Sequence, residues 1–94
     1  MSIYRDVITK AAVRDDFRCL RCGRPGQDVA HILPKGRYPE LKFTLQNLVT
    51  LCRKCHVETE TVEGRRELLE LMKDLYEYDY SDERYQSYLR GDDG

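Results

Sequence analysis

Four cysteines fall into two pairs of identical spacing, Cys19-x-x-Cys22 and Cys52-x-x-Cys55. Two thiolates separated by two residues can reach the same tetrahedral ion from one tight turn, so two such pairs form a complete ligand set for zinc. The other uses of these side chains, redox thiols or unrelated cysteines, fit a small chain with paired spacing less well. Four thiolates close the coordination sphere and leave no open position for catalysis, so Cys19, Cys22, Cys52 and Cys55 read as a structural zinc site. Zinc bound in this way contributes on the order of 10 kcal/mol, comparable to the whole stability of a small domain.

The pairs are separated by 29 residues, Gly23 to Leu51, against about 15–20 in a plain zinc ribbon. The insertion holds His31 and Asn47, and His56 directly follows Cys55. Taken singly, each has an ordinary structural reading. His31, between Ala30 and Ile32, reads as a core side chain, Asn47 as a turn residue, and His56 as a spare ligand to the zinc. Taken together, they flank the elements that carry the cysteines.

Those elements are legible from periodicity. Ser2 is a plausible N-cap, and Ile3, Val7, Ile8 and Ala11 share one face of a helix over residues 3–15. The stretch "CLRCGRPG" is a Gly- and Pro-rich turn. "DVAHIL" and "NLVTLC" read as two short strands separated by the loop "PKGRYPEL". "RKCHVETETVE" contains no helix breaker and predicts one helix beginning near Arg53 and running through Glu60. Leu68, Leu71, Met72, Leu75 and Tyr76 recur at helical spacing, Ser81-Asp82-Glu83 resembles a further helix start, and Gly91 a stop. Two packed strands followed by a helix bring His31 and His56 towards one place.

The chain has 94 residues, 40% of them hydrophobic and no tryptophan. A chain this short buries too little apolar surface to be comfortably stable without a staple. It has no apolar run of transmembrane length and no signal-like leader, which predicts a cytoplasmic protein without membrane contact. The net charge of −1 hides a split. Residues 1–56 carry eleven Lys/Arg and five Asp/Glu, and residues 57–94 carry five and twelve. The first part has the sign needed to meet phosphates, which predicts that a nucleic acid touches that part only. Five of the seven tyrosines lie within residues 76–88, among acids that repel phosphates, so they predict packing or a protein partner rather than base stacking.

The string "CLRCG…AHILP…LQNLVTLCRKCH" resembles the HNH endonuclease family, over about residues 17–60. "YPELKF…N" resembles a phage-type branch of it, as found in phages and other mobile elements. The resemblance implies a small α+β fold: a zinc-stapled ββα-metal core with a leading N-terminal helix and C-terminal helices. It implies that His31 is the general base, Asn47 the middle residue of the motif, and His56 the metal-binding histidine of the helix. It also implies hydrolysis of phosphodiester bonds in DNA with one divalent metal. The chemistry agrees: a neutral imidazole can take a proton from water near neutral pH, and a cation held by His56 is a Lewis acid for the phosphate. Asn47 can hydrogen-bond across the hairpin and fix the imidazole.

One position departs from the family. Most members place a metal ligand immediately before the base, where this chain has Ala30. Glu60, one turn after His56 on the expected helix, offers a replacement carboxylate, suited to Mg2+ or Mn2+. Asp28 is the poorer candidate, about 7 Å from Ala30 by strand rise.

The sequence therefore predicts an HNH-type DNA endonuclease, with a zinc-stapled nuclease core over residues 1–62 and an acidic helical extension over 63–94 packed on or beside it. The cofactors expected are one structural Zn2+ and one catalytic divalent metal, Mg2+, Mn2+ or Ni2+, on His56 and Glu60. Arg37, Lys42, Arg53 and Lys54 are the expected contacts to DNA phosphates. The alternatives are a non-catalytic zinc-stabilised DNA-binding module, its metal site lost through Ala30, and a protein-interaction adaptor working through the acidic C-terminal helices.

Overall fold

The computed structural model describes residues 3–90; the expected cap at Ser2 and stop at Gly91 lie outside them. Helix α1 (Ile3–Arg14) is followed by strand β1 (Asp28–His31), two 3-10 turns (Pro39–Leu41 and Leu45–Asn47) and strand β2 (Leu48–Leu51). Helices α2 (Arg53–Glu58), α3 (Val62–Tyr76) and α4 (Glu83–Leu89) complete the chain. This is a small α+β fold in which an antiparallel hairpin pairs Asp28 with Leu51, Val29 with Thr50, Ala30 with Val49 and His31 with Leu48. Among the described residues no helix is long and apolar enough to cross a membrane.

Both strands are shorter than the apolar runs suggest. β1 stops at His31 because the next backbone groups leave the ladder for Asn47. The Ile32 N–H donates to the Asn47 carbonyl at 2.9 Å, and Leu33 is bonded by the Asn47 side chain. Asn47 thus ends the 3-10 turn rather than beginning β2.

The single helix expected from Arg53 through Glu60 is also not formed. α2 ends at Glu58, and its end is held by Thr59, whose hydroxyl donates to the Cys55 carbonyl at 2.7 Å. Thr61 then caps α3, its side chain accepting from the Gly64 N–H at 2.9 Å. Gly64 makes the break possible. A Cβ there would lie 2.4 Å from Thr59 Cα, closer than non-bonded atoms approach, so α3 can turn back on α2 only with glycine at that position.

One continuous core joins hairpin and C-terminal helices. Ile32, Leu33, Val49 and Leu51 are packed with Leu69, Met72 and Tyr85, all fully buried, together with Tyr80 and Tyr88. The tyrosines of residues 76–88 are therefore largely structural, and three successive pairs from Tyr76 to Tyr85 meet edge to face. α1 is anchored to the hairpin by a buried ion pair. Asp15, 3% exposed, accepts from Arg14, from the Thr50 N–H at 2.9 Å and from the Tyr76 hydroxyl at 2.7 Å. Burial alone would raise the Asp15 pKa, but these donors hold it below the usual carboxylate range. Arg14 in turn donates to the carbonyls of Leu45 and Leu48, the residues on either side of the Gln46–Asn47 segment.

Candidate functional site

The four cysteine sulfurs lie within 4.8 Å of one another, and Cys22 Sγ is 3.7 Å from Cys52 Sγ. A tetrahedron with metal–sulfur bonds of about 2.3 Å has edges of about 3.8 Å, so the cluster has the dimensions to hold a zinc ion. The local sequence builds both halves. Gly23 adopts φ +83°, a left-handed conformation open to glycine, and its N–H donates to the Cys19 carbonyl at 2.8 Å, closing the first knuckle. Cys52 is the N-cap of α2, and its sulfur accepts from the Cys55 N–H at 3.4 Å. Burial opposes ionisation of Cys19, but surrounding backbone N–H groups outweigh it and bring its pKa down to about 7. Arg21 ties the knuckle to the rest of the fold, donating to Glu58 at 2.6 Å and Glu67 at 2.9 Å.

His31, His56 and Glu60 line one cleft of about 290 Å³, together with Ala30, Lys35 and Arg65. Strand β1 carries His31 and helix α2 carries His56. His31 Nε2 lies 3.2 Å from the Lys42 carbonyl. A carbonyl only accepts, so Nε2 carries the proton and the lone pair is on Nδ1. Partial burial lowers the His31 pKa below its ordinary value, and the positive charges of Lys35 and Lys42 act in the same direction. Both effects favour the neutral imidazole.

Asn47 is fully buried and touches no part of the cleft directly. Its Oδ1 accepts from the Leu33 N–H at 2.9 Å, and its Nδ2 donates to the Leu33 carbonyl at 3.2 Å. These bonds tie the Asn47 side chain to the backbone two residues after His31.

His56 is held from both sides. Its Nδ1 is 2.9 Å from Asp28 Oδ2, and its Nε2 is 3.5 Å from Glu60 Oε1. Hydrogen bonds from Arg53 and His56 bring the Asp28 pKa down to about 2. The ionised carboxylate can only accept, so His56 Nδ1 donates to Asp28 and Nε2 faces Glu60. Two sequence expectations change here. Glu60 lies beyond the end of α2, so a shared helical face does not bring it to His56; the Thr59 turn does. Asp28, the poorer ligand by strand rise, is the hydrogen-bond partner that orients His56. The signal for that role was available, because residues 28 and 30 share one face of a strand, but its partner on α2 was not.

The expected phosphate contacts are dispersed. Arg53 donates twice to Asp28, at 2.8 and 3.0 Å, while its side chain stays 69% exposed. Lys42 adjoins His31 through its carbonyl, and the Arg37 guanidinium lies over the Tyr38 ring. Lys54 is elsewhere, in a second cleft over the cysteines with Arg21 and Arg24. Arg65, which the sequence gave no reason to single out among the charges of α3, lines the histidine cleft.

Neither curated proteins nor solved structures contain a significant match to this chain. The model of one family, HNH endonuclease, matches residues 19–61, a span that begins at the first cysteine and includes His31, Asn47, His56 and Glu60. The hairpin, the following helix and the four-cysteine cluster all lie within the matched residues 19–61, and over this segment the chain is similar to the HNH endonuclease family.

Proposed function

We propose that the chain is a metal-dependent endonuclease that hydrolyses phosphodiester bonds in DNA. The observation that carries this reading is the convergence of His31, His56 and Glu60 on one cleft. His31 Nε2 bonds the Lys42 carbonyl, which leaves Nδ1 as the basic nitrogen of the neutral ring, and His56 is held by Asp28 through Nδ1 with its Nε2 facing Glu60. His31 acts as general base, taking a proton from water; burial keeps it in the neutral form that this requires. His56 Nε2 and Glu60 would hold a divalent cation. Two donors of one ion at bonds of about 2.1 Å sit about 3 Å apart, and the observed 3.5 Å is close to that. When bound, such a cation supplies Lewis-acid stabilisation to the phosphoryl group. A site with one carboxylate and one imidazole leaves most positions to water and phosphate oxygens, as Mg2+ and Mn2+ sites commonly do. Asp28 fixes the His56 ring, the carboxylate–histidine arrangement typical of metal ligands, so Ala30 does not by itself remove the site. Lys42 and Arg53, beside His31 and Asp28, are the nearer of the expected phosphate contacts, and Arg37 and Lys54 would extend the basic surface.

Incubation of the zinc-loaded protein with supercoiled plasmid and Mg2+, Mn2+ or Ni2+ tests the proposal. Nicking that needs the added metal and is abolished in His31→Ala is the expected result. Asp28→Ala is expected to raise the metal concentration for half-maximal nicking about 10- to 100-fold. Retarded migration without cleavage under every metal would refute catalysis and leave a DNA-binding module.

A further inference from the structure

We infer that Arg65 of α3 is a phosphate-binding residue of the cleft, gripping the DNA strand at the phosphate that faces His31. The inference rests on the nuclease reading of the cleft and adds a residue to it from outside the matched family span.

Three observations carry it. First, Arg65 is anchored. Its Nη1 donates to the Ile32 carbonyl at 2.5 Å and lies 3.5 Å from the His31 carbonyl. The guanidinium is thus tied to the backbone of the candidate base itself. Second, the anchor uses one nitrogen. No other acceptor among the described residues is bonded by the Arg65 side chain, so Nε and Nη2 keep their donors on the edge that forms a two-pronged grip on phosphate. Arg14, Arg21 and Arg53 differ in this respect, since each spends donors on a carboxylate. Third, the location is right. Arg65 shares the cleft with His31, His56 and Lys35, and Glu60 in the same cleft is paired with His56.

A guanidinium held rigidly in a partly enclosed cleft stabilises the negative charge that grows on phosphoryl oxygens during hydrolysis, without reorganising to do so. Folding thereby delivers one cation of the acidic segment, residues 57–94, to the same place as the basic segment. The expectation that DNA touches the first 56 residues alone does not survive if Arg65 makes this contact.

The test uses the full chain, zinc-loaded, with Arg65→Ala and Arg65→Lys, and two readouts. The first is binding of a short duplex in EDTA-free buffer without added divalent metal, followed by fluorescence anisotropy across a salt series. The second is plasmid nicking with Mn2+. A direct phosphate contact predicts that Arg65→Ala lowers the slope of log affinity against log salt by about one. It also predicts that nicking falls by roughly 10²-fold or more, and that Arg65→Lys recovers the slope but only part of the nicking. Native mass spectrometry for zinc and circular dichroism establish that each variant is folded, and Arg65→Lys keeps the test available if Arg65→Ala is not. A residue that only braces the hairpin would lower thermal stability and leave the salt slope of the folded protein as in wild type; that result overturns the inference. If wild type binds but does not nick, an altered slope still supports Arg65 while the nuclease reading fails. If wild type nicks and both variants nick and bind as it does, Arg65 is refuted and the nuclease reading stands. Absence of any duplex binding by wild type refutes both.

Discussion

Replacing Asn47 by alanine should damage this protein more than any cleft residue would, because Asn47 holds backbone rather than substrate. The side chain is fully buried and makes two hydrogen bonds, one from the Leu33 N–H at 2.9 Å and one to the Leu33 carbonyl at 3.2 Å. Leu33 is itself fully buried, so water cannot replace either bond. A buried backbone group left without a partner costs about 1–3 kcal/mol, and two of them give roughly 4 kcal/mol. Against a total stability of about 5–15 kcal/mol for a small domain, that is a large fraction. At about 4–8 °C per kcal/mol, the melting temperature should fall by some 15–30 °C. Asn47→Asp should give no rescue, since it keeps an acceptor for the Leu33 N–H but places a second acceptor against the Leu33 carbonyl. Urea unfolding of the zinc-saturated proteins measures the cost, with metal held constant because bound zinc adds to apparent stability. Nicking should be compared at a temperature where the variant is folded, and a deficit there reports the loosened backbone beside His31. A loss below about 1 kcal/mol with nicking intact would refute the account, because it would mean that the Leu33 groups are satisfied without Asn47.

Three further outcomes follow from the geometry. Cys55→Ser, at a residue of the cluster that is 4% exposed, should abolish stoichiometric zinc by native mass spectrometry and unfold the chain; a folded, zinc-free variant would contradict a stapling role. Because burial lowers the His31 pKa and the base must be neutral, the acid limb of single-turnover nicking should lie below pH 6.5, with activity rising through it and level above pH 7 until other groups titrate; a limb centred above 7 would contradict His31 as the base. Gly64→Ala should lower the melting temperature although alanine is the better helix former, since the added Cβ meets Thr59 backbone at 2.4–2.8 Å; stabilisation would show that the α2–α3 break is not set by this contact.

What the amino-acid sequence determined by itself is the chemistry that depends on short spacing. Two Cys-x-x-Cys pairs bring thiolates together through one local turn each, and neither turn needs distant chain to be recognised. The long interval between them identified an insertion, and the insertion contained His31 and Asn47. α1 and α3 were legible because their apolar residues repeat at the helical period over several turns. The break after α2 was not, because the Thr59–Glu60–Thr61 segment contains neither glycine nor proline. It is made by two threonine side chains and by the close approach of Gly64, which exists only once α3 packs back onto the core. The same holds for the partners that complete the cleft. Asp28 meets His56 across 28 residues, Arg65 meets the Ile32 carbonyl across 33, and Asp15 meets the Thr50 N–H across 35. An Asp or Arg in isolation is most often a solvated surface group, and local sequence contains no distance information over such separations. Which charges stay in water and which orient a histidine, grip a backbone carbonyl or pin a helix is decided by the packing of the hairpin against α1 and α3.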